Sequence, residues 1–119
     1  MAQRPLDELE AFALHLPGAF SDMPWEGDVV AKVGKKIFVF FGMPQSDALS
    51  FTVKLPHSND EALSMPWSAV PGYGLERGHW VTLTPPPDAP LELLTAWIEE
   101  SYRTVAPKRL AALLDDAAS

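Results

Sequence analysis

A loop and the strand that follows it, residues 71–84 with the sequence PGYGLERGHWVTLT, carry the side chains best suited to chemistry. Tyr73, Arg77, His79 and Trp80 fall within eight residues there. Hydroxyl, guanidinium, imidazole and indole groups all donate hydrogen bonds, and from one loop they can reach a common ligand. Three hypotheses stay open for this segment: a binding surface, an active site, or an ordinary strand with a polar entry loop.

Little elsewhere in the chain favours catalysis or metal binding. The sequence has no cysteine, which excludes disulfides, thiolate catalysis and cysteine-based zinc sites. His15, His57 and His79 are far apart, and no two of them have helical spacing. Asp60 and Glu61 follow His57, but acids at that place better suit the start of a helix than a metal site. We expect no enzyme and no metal.

The glycines of the loop, Gly72, Gly74 and Gly78, do not predict a dinucleotide site. The third glycine stands one position late, and the segment leads into a strand, whereas pyrophosphate binds at the N-terminus of a helix. They better suit the backbone turns of a tight loop. We therefore expect no cofactor.

The net charge of −7 opposes binding to phosphate groups, but the charge is uneven. Residues 29–57 carry Lys32, Lys35, Lys36 and Lys54 against Asp47 alone. This basic middle is the stretch that can offset the repulsion of the acidic ends. The alternative is that the lysines border an exposed sheet and the acids keep the protein soluble.

Helices are predicted near both ends of the chain. Apolar residues recur at helical spacing over residues 5–16 and 91–105. The two apolar stripes are Leu6, Leu9, Phe12, Ala13 and Leu16, and Leu91, Leu94, Ile98, Tyr102 and Val105. Asp88 is expected to cap the longer helix, and Pro107 to end it before a second short helix or a frayed end. Ser58 and Glu61 have the spacing of a capping box, which predicts a short helix between the strands.

Strands are predicted in the middle of the chain. Alternation and β-branched or aromatic content favour residues 29–33, 37–41, 49–54 and 79–84. Residues 19–28 predict an irregular or edge segment, because Pro24 cannot donate to a sheet ladder. The expected fold is one α+β domain over residues 1–119, with an antiparallel sheet packed on helices in two layers.

Alternation also predicts which side chains leave the core. Lys54 is expected on the open face of the sheet, with Trp80 beside it and His79 on the core side. An open face with aromatic and lysine side chains is a plausible recognition platform. The alternative is that the segment around Trp25 or Trp67 covers Trp80.

The chain resembles the MmcQ/YjbR family of small bacterial proteins. The resemblance rests on five pieces taken in order, and it covers nearly the whole chain. They are LEAFALHLPGA, PWEGDVVAKVGKKIFVFF, LSFTVK, PGYGLERGHWVTLT and LLTAWIEESYRTVAPKRL. The positions that match the family motif are Trp25, Lys32, Gly34, Lys54, Tyr73, Arg77, His79, Trp80, Ser101 and Tyr102.

The resemblance implies the order α-β-β-β-α-β-β-α and a bacterial protein. A cytoplasmic location is the default expectation from the sequence itself, which has no cysteine and no signal-peptide pattern at residues 1–12. Family members are often described as DNA-binding, on the basis of a proposed double-wing arrangement of their hairpins. They typically carry a basic residue in the loop before the His-Trp pair; here Arg77 takes that place beside the acidic Glu76. Ser101 and Tyr102 are expected to fix the long helix, with the tyrosine hydroxyl bonded to the sheet.

The first hypothesis is therefore a non-catalytic binding protein, with DNA as one ligand, whose lysines and arginine contact phosphates while Trp80 or Tyr73 stacks. The second is a protein-interaction or small-ligand domain that uses the same aromatic face. The third is an enzyme near Tyr73, Arg77 and His79. No membrane partner is expected, since no apolar run is long enough to span one. The expected binding residues are Lys32, Lys35, Lys36, Lys54, Tyr73, Arg77, His79 and Trp80.

Overall fold

The computed structural model describes residues 5–25, 28–42, 50–70, 78–86 and 88–118. Within these residues the elements follow the order α1, β1 to β4, α2, β5, β6, α3, α4. The helices are α1 Pro5–Leu14, α2 Asn59–Leu63, α3 Leu91–Val105 and α4 Lys108–Ala118. The strands are β1 Ala19–Trp25, β2 Asp28–Val33, β3 Lys36–Gly42, β4 Phe51–Lys54, β5 Ser68–Ala69 and β6 Trp80–Leu83.

The strands form one antiparallel sheet with the order β1-β2-β3-β4-β6-β5. The α+β prediction is confirmed, and the predicted strands 29–33 and 37–41 are close to β2 and β3. The segment expected to be irregular or an edge is the edge strand β1. Its register shifts between Asp22 and Trp25, the stretch that contains Pro24, as expected for a residue that cannot donate to the ladder.

The β2–β3 hairpin owes its shape to one glycine and two bulges. Gly34 in the turn has φ of 63°, a conformation that other residues adopt at a cost. Between the pairs Ala31–Val39 and Lys32–Ile37, the strand β3 gains Phe38 as an extra residue. Phe38 and Val39 are therefore both buried in the core, which strict alternation does not predict.

The core lies between the sheet and the helices α1 and α3. From α1 it takes Leu9 and Ala13, as the helical spacing predicted. From α3 it takes Leu94, Trp97, Ile98 and Tyr102, with the tyrosine ring edge-on to Phe38 at 5.4 Å. The sequence pattern placed Leu91 in the same stripe and missed Trp97; Leu91 is 44% exposed.

Three local predictions are wrong. Ser58 makes no capping hydrogen bond within α2, because its hydroxyl donates instead to Glu100 on α3. Asp88 does not cap α3; Pro90 stands at the N-cap. His79 lies outside β6 with φ of 65° and is exposed, so it does not face the core.

Candidate binding face

The face of the sheet opposite the helices, here called the outer face, carries the polar side of β4 and β6. The alternate residues Phe51, Val53, Val81 and Leu83 are buried in the core. Their neighbours Thr52, Lys54, Trp80 and Thr82 therefore lie on the outer face and are half-buried. The two threonine hydroxyls, paired across the strands, are 2.8 Å apart. The predicted placement of Lys54 and Trp80 on this face is confirmed.

Lys54, Trp80 and Phe40 form the Trp80 cluster. The Trp80 and Phe40 rings meet edge to face, with centroids 5.3 Å apart and planes at 70°. The Lys54 ammonium nitrogen lies 5.9 Å from the centroid of the Trp80 ring, within the range of a cation–π contact. The cluster thus joins an aromatic surface to a positive charge.

Trp67 does not cover this cluster. Its ring packs against Trp97 of α3, with centroids 6.2 Å apart, and so belongs to the helix side of the sheet. The side chain of Trp25, the other cover considered from the sequence, lies outside the described residues. Part of the outer face is nevertheless covered, since Val30, which pairs with Phe40, is fully buried.

Lys32 also reaches the outer face, but it has an acidic partner. Its ammonium nitrogen is 3.2 Å from a carboxylate oxygen of Asp22 on β1 and 5.9 Å from the Phe20 ring centroid. The Met23 main-chain N–H and then Lys32 hold the pKa of Asp22 below its ordinary value. Asp22 therefore stays ionised at neutral pH and offsets the Lys32 charge.

Of the remaining predicted residues, the structure describes Lys35, Lys36 and His79. Lys35 and Lys36 are exposed at the turn of the β2–β3 hairpin. His79 is exposed beside Trp80, and its carbonyl accepts a 2.9 Å hydrogen bond from the Leu55 N–H. Tyr73 and Arg77 lie outside the described residues, so their expected roles remain predictions.

Ser101 of α3, which was not among the predicted binding residues, supports the Trp80 cluster from the helix side of the sheet. The buried Ser101 hydroxyl accepts a 2.9 Å hydrogen bond from the main-chain N–H of Lys54 and donates to the Phe38 carbonyl. Ser101, rather than Tyr102, thus bonds to the sheet; the Tyr102 hydroxyl donates to the Pro17 carbonyl at 2.6 Å. A serine within the apolar stripe of α3 is the sequence signal for such a buried bridge.

A groove of about 380 Å³ on the helix side is lined by Glu100 and neighbouring residues of α3 and the α2 entry. Burial raises the pKa of Glu100, but hydrogen bonds from Ser58 and His57 outweigh it and leave the pKa below its ordinary value. The Glu99 carboxylate pairs with Arg103 at 3.1 Å. The Glu99 and Glu100 carboxylates thus both make contacts within the protein.

The described residues were compared with the patterns of a metal-ligand cluster and of a membrane-spanning helix. Across them, no three histidine, aspartate or glutamate side chains are grouped so that they could hold a metal ion. In the same residues, none of the helices combines the length and apolar character needed to cross a bilayer.

Comparison with known proteins supports the family resemblance. The family model described as YjbR matches residues 14–104. The crystal structure of the Deinococcus radiodurans protein DR2400, described with the domain DUF419, is similar to this chain with a TM-score of 0.73 and 28% sequence identity. The similarity covers 96% of this chain and 92% of that chain. No curated protein matches the chain significantly.

Proposed function

The chain belongs to the YjbR family, and from that premise we propose that it is a non-catalytic protein that binds single-stranded DNA on its outer face. The observation that carries the proposal is the Trp80 cluster, in which Lys54 lies over an indole ring that packs on Phe40. Nucleic-acid bases stack on such rings whatever their sequence, because every base has a π-face.

Few cations are available for phosphate contacts, so the proposal relies on base stacking, which favours a single strand with accessible bases over a duplex. Lys35, Lys36 and Lys54 have no ion-pair partner among the described residues, whereas Lys32 is paired with Asp22. About three phosphate contacts predict a slope near −2 for log K against log salt on a single strand. With a net charge of −7, binding depends on stacking as much as on charge.

A second candidate is a protein-binding domain, favoured by the edge strand β1. Phe20 and Met23 on that strand are 44% and 53% exposed. Exposed apolar side chains on a sheet edge are typical of surfaces that pair with another chain. Such binding buries apolar area and depends little on salt, so salt dependence separates the two candidates.

The test is the anisotropy of a labelled single-stranded oligonucleotide and of the matching duplex, at low and at higher salt. We expect tighter binding of the single strand, with affinity that falls as salt rises. Lys54→Gln should lower the affinity about fivefold or more and flatten the salt slope by about 0.7.

Lys108→Gln is the matched control for that experiment. It removes the same charge from an exposed position on α4, which packs against α3 in the helix layer. Its effect should stay below about twofold. Failure of the wild-type protein to bind the oligonucleotide at low salt, where phosphate contacts are strongest, overturns the proposal.

A further inference from the structure

Gly78 precedes the strand β6, and its backbone lies close to two hydrogen-bond donors. A β-carbon on residue 78 would lie 3.2 Å from the indole nitrogen of Trp80 and 3.5 Å from the ammonium nitrogen of Lys54. It would also lie 3.1 Å from the Trp80 Cδ1 atom. A side chain at residue 78 would thus crowd both donors, and glycine leaves them uncovered on this side. The surface formed by Gly78, Trp80 and Lys54 is here called the Gly78 cradle.

Both donors lack an acceptor atom among the residues that the structure describes. In the described part of the chain, the Lys54 ammonium meets the Trp80 ring but no acceptor atom. The Trp80 indole N–H likewise has no hydrogen-bond partner among those residues. An ammonium group and an indole N–H can only donate hydrogen bonds, so a ligand group that binds both must be a hydrogen-bond acceptor.

The backbone beside the cradle is held in an uncommon conformation. His79 has φ of 65°, in the left-handed region that non-glycine residues seldom adopt. Its carbonyl is fixed by the Leu55 N–H at 2.9 Å and approached by the Asn59 side-chain amide at 3.5 Å. Backbone of this kind persists where its surroundings fix it, and it is frequent at ligand-binding sites.

We propose that the Gly78 cradle binds a phosphate group, with the Lys54 ammonium and the Trp80 indole N–H as its donors. Charge-assisted hydrogen bonds to an anionic oxygen are the strong ones, and lysine is a common phosphate ligand. The inference deepens the proposed function, since a DNA strand is one source of phosphate. A phosphorylated small molecule is the other source.

The direct test follows the indole N–H signals of the ¹⁵N-labelled protein by NMR while inorganic phosphate replaces chloride at constant ionic strength. Trp80→Phe identifies the Trp80 signal by its disappearance. We expect that signal to move and to saturate as phosphate is added. If the Trp80 signal does not move as phosphate is added, or if it moves equally in Lys54→Gln, the proposal of a phosphate site at the Gly78 cradle is overturned.

Two variants separate the cradle from general attraction by positive charge. Lys54→Gln and Gly78→Ala should each weaken phosphate binding by about tenfold, the first by removing a donor and the second by filling the space without changing charge. Lys108→Gln, at an exposed position on α4, should change it by less than about twofold. Equal losses in Lys108→Gln and Lys54→Gln overturn the cradle, and this lysine pair remains decisive if Gly78→Ala does not fold.

The source of the phosphate is decided by adding the oligonucleotide to the same sample. If phosphate moves the Trp80 signal and the oligonucleotide does not bind, the cradle stands as a small-molecule site and the DNA proposal fails. If the oligonucleotide binds while phosphate leaves the Trp80 signal in place, the cradle is overturned and binding by stacking stands. The two proposals can thus fail separately.

Discussion

The main-chain N–H of Lys54 on β4 donates a 2.9 Å hydrogen bond to the hydroxyl of Ser101 on α3. The same hydroxyl donates to the carbonyl of Phe38, the bulge residue of β3. One buried side chain thus joins β3 to β4 beyond Val39 and Val53, a ladder pair between these strands. The helix layer thereby fixes the backbone from which Lys54 reaches the Trp80 cluster.

Ser101→Ala should be strongly destabilising. It leaves the Phe38 carbonyl and the Lys54 N–H without this partner in a buried place, at a cost of about 1–3 kcal/mol for each group. Urea unfolding measures the loss. Ser64→Ala removes an exposed hydroxyl that donates to the Glu61 carbonyl, and it should cost less than about 0.5 kcal/mol. Equal stability of the two variants contradicts this role of Ser101.

Glu100 caps the entry to α2 from another helix. Its carboxylate accepts hydrogen bonds from the His57 N–H, the Ser58 N–H and the Ser58 hydroxyl, at 2.9, 3.0 and 2.6 Å. Glu100→Gln should lower the free energy of unfolding at neutral pH by about 1–2 kcal/mol, as the loss of a cap does. Urea unfolding of the variant measures it.

The same contact predicts a dependence on pH. Because the folded-state pKa of Glu100 is lowered, its stabilisation is complete above the ordinary glutamate pKa of about 4.3 and is lost as pH falls through the folded value. Glu100→Gln should therefore show a smaller loss of unfolding free energy between neutral and acid pH than wild type. Glu99→Gln is the control and should keep the wild-type dependence; an unchanged dependence in Glu100→Gln contradicts the assignment.

Asp22 restrains Lys32, so its removal should strengthen DNA binding. Asp22→Asn frees the Lys32 ammonium and removes a negative charge from the outer face. We expect an affinity about threefold higher at low salt and a salt slope steeper by about 0.7. Glu92→Gln, exposed in the first turn of α3, changes the net charge equally. If both variants gain the same affinity, net charge rather than Lys32 is responsible.

Alanine substitutions at Gly18 and Gly34 distinguish the stability cost of backbone strain from the cost of steric overlap with a neighbouring side chain. Both have positive φ, 73° and 63°, so alanine at either position should cost about 1–2 kcal/mol in backbone strain. At Gly18 a β-carbon also meets Leu110 of α4 at 2.9 Å, whereas at Gly34 nothing lies within 4 Å. Gly18→Ala should cost about 1 kcal/mol more by urea unfolding. Equal costs would show that α4 yields freely at this contact.

Local periodicity in the sequence predicted which side chains of a strand or helix face the core and which do not. The alternation of β4 and β6 placed Lys54 and Trp80 on the outer face, and helical spacing placed Leu9 and Ile98 in the core. These patterns depend on neighbours two to four residues away, which the sequence shows directly. The order of elements that the resemblance implied agrees with the structure, which adds the edge strand β1 before the predicted strands and the helix α4 after α3.

The contacts that shape the site were missed because they join distant parts of the chain. The Ser101–Lys54 bond spans 47 residues, and the Glu100–Ser58 bond spans 42. The Lys32–Asp22 pair was missed for another reason, since it follows only from the register of β1, a segment predicted only as irregular or as an edge. The left-handed backbone conformation of His79 was also missed, because the sequence does not indicate a positive φ at a residue other than glycine.

The central claim is that bases stack on Trp80, and a neutral series at that residue tests it most directly. We would measure the affinity of a labelled oligothymidine for the wild type, Trp80→Phe and Trp80→Leu, with Phe20→Leu as the control on the same face. The account predicts a graded loss, about 5- to 150-fold for the leucine variant, with an unchanged salt slope and little effect of Phe20→Leu. A folded Trp80→Leu protein that binds as tightly as the wild type would contradict it.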